Sequence, residues 1–249
     1  MQIVVDNLLA NYVRSGTGKE ILILHGWGDN VASWKDLIAD LSKNYEVIAL
    51  DLPGFGGSEA PRAAWGLSEY ATFVAAFLSK AKLQPYAVIA HSNGGAIAIR
   101  ALSHHLFSAQ KLVLLASAGI RSEYKGRKKA LRLVTKAGKA LTTPLPRSIK
   151  KRLRQKVYQT VGSDMLVAEH LQDTFKRVVT DDVRTDARQI SIPTLLLYGD
   201  TDQATPLRYG ELLHKAIPNS KLQVLSGAGH FLYSDKPQEV MAQIEDFLS

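Results

Sequence analysis

Short, continuous apolar runs recur along this 249-residue chain, each followed by a stretch of helical character. "ILILH" (21–25), "EVIAL" (46–50), "YAVIA" (86–90), "KLVLLA" (111–116) and "TLLLYG" (194–199) do not alternate with polar residues. A strand that is apolar on both faces is buried on both, as in a parallel sheet covered by helices on either side. Between the runs, "SEYATFVAAFLSKA" (68–81) and "AIAIRALSHHL" (96–106) carry apolar residues three and four apart, the period of an amphipathic helix. After residue 199 come a helix near 206–216, a strand "KLQVLS" (221–226) and a helix from Pro237 to Leu248. This alternation predicts an α/β fold built on an open sheet.

Residues 119–190 break the rhythm, with no strand-like run. "KKALRLVTKAGKAL" (128–141), "SIKKRLRQKVYQTV" (148–161) and "DMLVAEHLQDTFKRVV" (164–179) read as amphipathic helices, the first two separated by Pro144 and Pro146. The charge also changes here. Residues 121–188 hold 18 Lys/Arg against 7 Asp/Glu, a net of +11. The remainder holds 13 against 16, a net of −3, which together gives the chain's +8. The expected organisation is therefore a core over 1–118 and 191–249 with a helical cap (lid) over 119–190. Ligands of open α/β sheets bind beyond the carboxyl ends of the strands, where such a cap would lie. Its Lys and Arg residues are read as solvated helix faces, with weak contact to anionic surfaces or an anionic substrate as the second reading. Nucleic acid is not an expected partner, because the basic stretches carry neither a nucleic-acid-binding motif nor interleaved aromatics.

Other classes fall away on composition. With no cysteine there is no disulfide, no thiolate nucleophile and no Cys-based zinc site. No apolar run approaches the roughly 20 residues that span a bilayer. The first residues, "MQIVVDNLLANYVR", lack a basic segment followed by an apolar one, so a signal peptide is not expected and a cytoplasmic location is.

One serine stands where chemistry would need it. In "AHSNGG" (90–95), Ser92 follows a buried strand and turns directly into a helix. Such a turn holds a nucleophile in a strained backbone conformation and requires small residues two before and two after, here Ala90 and Gly94. The bland alternative is a helix N-cap serine followed by packing glycines. A serine hydroxyl needs a base within hydrogen-bond reach. Of seven histidines, His104, His105, His170 and His214 are read as solvated or capping residues, and His91 as packing near the site. His230, in the Gly-rich loop "SGAGHFLYSDKP", can reach the sheet's carboxyl edge and is the expected base. The acid that orients it should follow a strand. "KLVLLA" is followed by no acid, whereas "TLLLYG" is followed by Asp200 and Asp202. Asp202 is preferred, with Asp200 as the fallback; Asp51, in "ALDLPGFGGS", is read as structural, fixing the Gly-rich turn after it. Two backbone N–H groups should face the developing oxyanion. They are assigned to Asn93, after the nucleophile, and to Trp27 in "HGWGDN" (25–30).

With these residues in place the chain resembles the α/β-hydrolase family. "HGWGDN", "DLPGFGGS", "AHSNGG", "YGDTDQATP" and "GAGHF" occur in that family's order and approximate spacing. The resemblance implies an eight-stranded, mostly parallel sheet flanked by helices, a helical cap after the sixth strand, and no cofactor. It places the nucleophile, acid and base on Ser92, Asp202 and His230, and the oxyanion donors on Trp27 and Asn93. Ala90 replaces the usual first glycine of the elbow, and Asn93 stands where many relatives carry an apolar residue. The expected activity is hydrolysis of a small-molecule carboxylic ester through an acyl-enzyme on Ser92. Hydrolysis of a C–C bond, a lactone or an amide would use the same groups. A non-catalytic ligand-binding protein is the remaining alternative.

Overall fold

The computed structural model describes residues 1–121 and 168–249. The helices predicted over 128–141 and 148–161, and the start of that over 164–179, lie outside the described residues.

The apolar runs become the centre of an eight-stranded sheet. Its strands are β1 (Gln2–Val5), β2 (Leu8–Ser15), β3 (Glu20–Leu24), β4 (Glu46–Leu50), β5 (Ala87–His91), β6 (Lys111–Leu115), β7 (Thr194–Gly199) and β8 (Ser220–Leu225). Their spatial order is β1-β2-β4-β3-β5-β6-β7-β8. Every pairing among β3 to β8 is parallel, and the two pairings of β2, with β1 and with β4, are antiparallel. The hairpin β1–β2 has no continuous apolar run to announce it. Its turn is made by Asp6 and Asn7, both left-handed with φ of 47° and 62°, as a two-residue hairpin loop demands.

Helices α1 (Lys35–Leu41), α2 (Leu67–Ala81), α3 (Asn93–Ser103), α4 (Gln172–Val178), α5 (Arg184–Ala187), α6 (Leu207–Ala216), α7 (Leu232–Asp235) and α8 (Pro237–Leu248) flank the sheet. Strand alternation divides the core into two layers. Leu22, Leu24, Val88, Ala90, Leu112 and Leu114 pack with α2, α3 and α6. Ile21, Ile23, Ala87, Ile89, Val113 and Leu115 pack on the other face with α1 and α8. Each fully buried aliphatic side chain contributes about 1.5–3 kcal/mol, which is why the middles of the central strands are apolar and polar residues such as His91 and Thr194 sit at their ends.

Helix α3 ends earlier than its apolar pattern suggests. His105 is left-handed (φ 53°), and the Leu106 N–H donates back to the Ala101 carbonyl at 3.0 Å, closing the helix after Ser103. The expected helix over 164–179 appears, in its described part, as one 3₁₀ turn (Glu169–Leu171) followed by α4. This segment rests on the core. Phe175 packs on Trp27 with ring centroids 5.1 Å apart, and Thr174 Oγ1 accepts from the Trp65 N–H at 3.1 Å.

Candidate active site

Ser92 occupies the single residue between β5 and α3 and has φ 49°, ψ −116°. A non-glycine residue in that region costs free energy and persists only where its surroundings over-determine it. Here they do. The Ser92 N–H donates to the Leu115 carbonyl at 3.0 Å, and its own carbonyl accepts from the N–H groups of Gly95 (3.0 Å) and Ala118 (2.9 Å). A Cβ at Gly94 would strike the backbone carbonyls of Leu24 and His25, so only glycine lets α3 start this close to β3. Ala90 is fully buried between Leu24 and Leu114, and its methyl group has room there. Glycine is therefore dispensable two residues before the serine and indispensable two residues after it.

His230, from the loop between β8 and α7, reaches this turn with Nε2 3.1 Å from Ser92 Oγ. Its Nδ1–H donates to Asp202 Oδ2 at 2.8 Å. Asp202 follows β7 and is buried. Its other oxygen accepts from the N–H groups of Ala204 (2.7 Å) and Thr205 (3.0 Å). Burial alone would raise the pKa of this carboxyl, but the hydrogen bonds from His230 and Thr205 outweigh it and hold the pKa below the ordinary carboxylate value. Asp200 points elsewhere. It accepts from the Gly227 N–H at 2.7 Å and the Ser226 hydroxyl at 3.2 Å, fixing the turn after β8.

Asn93 follows the serine directly, and Trp27 follows a glycine packed against it. Gly26 packs so closely that a Cβ there would fall 3.1 Å from that of Ser92, and Trp27 is the next residue. Asn93 opens α3, so its N–H belongs to the free, electropositive end of that helix. Among the described residues neither of these two N–H groups donates to another backbone group.

Several supporting residues carry more than the sequence suggested. His25 is buried and neutral, because desolvation lowers its pKa. Its Nδ1–H donates to the Gly26 carbonyl at 2.7 Å, and its Nε2 accepts from the Leu52 N–H at 2.9 Å. It thereby fixes the loop that carries Trp27. Asp51 acts as expected, accepting from the Gly57 N–H (2.8 Å), and also from the Val31 N–H (2.8 Å). His91 packs against His230, with ring centroids 4.7 Å apart, and its Nε2–H donates to the His230 carbonyl at 2.9 Å. Burial first, and the neighbouring His230 second, push its pKa down to about 3.

Three contributors gave no sequence signal strong enough to single them out. The Thr205 hydroxyl lies 2.7 Å from Asp202 Oδ2 and 2.9 Å from the Ala116 carbonyl, so its one proton serves either oxygen. Asp29 accepts from Tyr233 OH at 2.7 Å and also from the Ser33 hydroxyl. This pair ties the Trp27 loop to the chain just after His230. A threonine three residues beyond the acid, in "DQAT", is the one hint that could have pointed to Thr205.

A mostly parallel sheet with helices on both faces, and an elbow serine facing a histidine at its carboxyl edge, defines the α/β-hydrolase class. Residues 21–243 match the Alpha/beta hydrolase family, and the chain belongs to it. It is 29% identical to a pimeloyl-acyl-carrier-protein methyl ester esterase of Neisseria meningitidis, over 92% of this chain and 77% of that protein. The fold is similar to that of a bacterial membrane phospholipase A (TM-score 0.80, 24% identity, 100% of this chain and 84% of the other). It is also similar to an esterase from Exiguobacterium antarcticum (TM-score 0.79, 21% identity, 100% and 99%). As a member of this family, the chain is a hydrolase with esterase relatives.

Proposed function

We propose that the chain is a serine hydrolase that cleaves carboxylic esters of small to medium acyl groups. The observation that carries this reading is the line Ser92 Oγ–His230 Nε2–His230 Nδ1–Asp202 Oδ2, at 3.1 and 2.8 Å, starting from a serine with φ 49°. His230 Nε2 takes the hydroxyl proton as Ser92 Oγ bonds to the ester carbonyl carbon. The carbonyl oxygen becomes an oxyanion facing the N–H groups of Trp27 and Asn93. As the carbon–oxygen bond to the alcohol breaks, His230 returns the proton to the leaving oxygen. Water then attacks the acyl-enzyme, losing its proton to His230 and releasing the acid and Ser92. Asp202 remains ionised throughout, since its pKa is held low, and stabilises the imidazolium in each half-reaction.

The methyl ester esterase relative from Neisseria meningitidis supports an ester as the substrate. The inserted segment over 119–190 is read as a cap over the site. Its described end supports that placement, with Phe175 against Trp27 and His170 Nε2–H donating to the Gly54 carbonyl at 3.0 Å.

The test is fluorophosphonate labelling together with turnover of a panel of activated esters, lactones and vinylogous diketones. Wild type should label at Ser92 and favour esters. Ser92→Ala should lose labelling and about 10³–10⁶-fold in kcat. Undiminished turnover by Ser92→Ala would sink the mechanism, and exclusive turnover of a diketone or lactone would replace the substrate class.

A further inference from the structure

Most of the buried polar side-chain atoms without a hydrogen-bond partner among the described residues gather at one place. They belong to Trp27, Ser42, His91 and Asn93; His91 and Asn93 flank Ser92 in the chain, and Trp27 follows Gly26, which packs against it. Asn93 stands out because both ends of its carboxamide, Nδ2 and Oδ1, are unpaired, although the residue is only 3% exposed. An unpaired buried amide bears its full desolvation cost, which an apolar side chain of similar size would avoid. Nothing in the packing of α3 makes use of this polarity.

The position of Asn93 restricts what could pair with it. Its backbone N–H is assigned to the oxyanion, and its side chain extends only about three bonds further, so its partner must lie close to the scissile carbonyl. The leaving alcohol must face His230 Nε2 to receive its proton. The hydrogen-bond and ring partners of His230 are Ser92, Asp202, Thr205, His91 and Phe231, and Asn93 is not among them. Asn93 therefore faces the part of the substrate that stays on Ser92. The indole Nε1–H of Trp27, whose backbone N–H is assigned to the same oxyanion, is unpaired as well.

We infer that Asn93 is a specificity residue which binds an oxygen substituent, hydroxyl or oxo, on carbon 2 or 3 of the acyl group. The preferred substrates are then esters of hydroxy or oxo acids rather than of plain fatty acids. This inference rests on the esterase reading above.

The experiment compares 4-nitrophenyl esters of butanoate, 2-hydroxybutanoate, 3-hydroxybutanoate and 3-oxobutanoate, in wild type and Asn93→Leu. Its readout is the ratio of kcat/KM between each oxygenated ester and butanoate on the same enzyme sample, so loss of folded protein cancels. In wild type, at least one oxygenated ester should be favoured about 10- to 100-fold, and Asn93→Leu should remove that preference. A wild-type preference for butanoate, or a ratio unchanged by Asn93→Leu, overturns the inference. So does efficient fluorophosphonate labelling of Ser92 with none of the four esters turned over. Absence of labelling would instead overturn the esterase reading itself, and this inference with it.

Discussion

At Ser92 hydrogen bonds to Leu115, Gly95 and Ala118 hold a backbone that no serine adopts freely, and the hydroxyl is thereby left pointing at His230. The orientation of His230 depends in turn on groups that never meet the substrate. Asp202 takes its Nδ1–H, while Thr205 meets the same carboxylate oxygen and lies 3.1 Å from Nδ1. Thr205→Val keeps the shape and removes the hydroxyl. It should lower kcat about tenfold with little change in KM, because a single buried hydrogen bond to a charged group is lost while the substrate contacts stay. Steady-state kinetics on an activated ester reads this directly, and a selective rise in KM would assign Thr205 to substrate binding instead.

Two loops must be held in register for the proposed chemistry, one carrying Trp27 and the other His230. They come from opposite ends of the sequence, after β3 and after β8. Asp29 and Tyr233 join them through a 2.7 Å hydrogen bond, and the Trp34 and Tyr233 rings stack 4.4 Å apart beside it. The hydrogen bonds from Ser33 and Tyr233 hold Asp29 ionised against the opposing effect of burial. Tyr233→Phe leaves the rings stacked but withdraws the hydroxyl from a buried carboxylate. It should cost about 1–3 kcal/mol of stability, measured by denaturant unfolding. A change of less than a few tenths of a kcal/mol would mean that the loops are held by apolar packing alone.

For the molecule as a whole, these buried groups set the response to acid. The folded state keeps His91 neutral down to about 3, whereas the unfolded chain protonates it near the ordinary 6.5. Between those values the unfolded state binds more protons, so stability rises with pH and is fully present above about 6.5. His25 is shifted in the same direction. Asp29 and Asp202, whose pKa values are depressed, contribute stability above the ordinary 3.8 that is lost as pH falls through their lowered values. Acid should therefore destabilise the protein progressively from neutrality downward. His91→Gln should flatten the stability profile between about pH 6 and pH 4 by up to about 1.4 kcal/mol per pH unit, as seen in unfolding curves at stepped pH. An unchanged slope would place the acid sensitivity elsewhere.

The strand runs, the sharp turn at Ser92 and the position of His230 and Asp202 after strands were legible in the residues because each depends on local chemistry. Burial on both faces demands continuous apolar strands, and a sharp turn demands small neighbours around Ser92. The hairpin β1–β2 was not legible, since an edge hairpin needs no apolar run. Nor were the partnerships of Thr205 with Asp202, of Asp29 with Tyr233, or of His91 with the His230 carbonyl. The 204 positions separating Asp29 from Tyr233 mean that only the closing of the sheet brings them together. The sequence alone thus determined which kinds of residue could do chemistry and at which strand ends they sit. The tertiary structure alone decided which buried polar groups find partners and which, like Asn93, are left without one. Pairing depends on distances between remote segments, and local pattern carries no information about those distances.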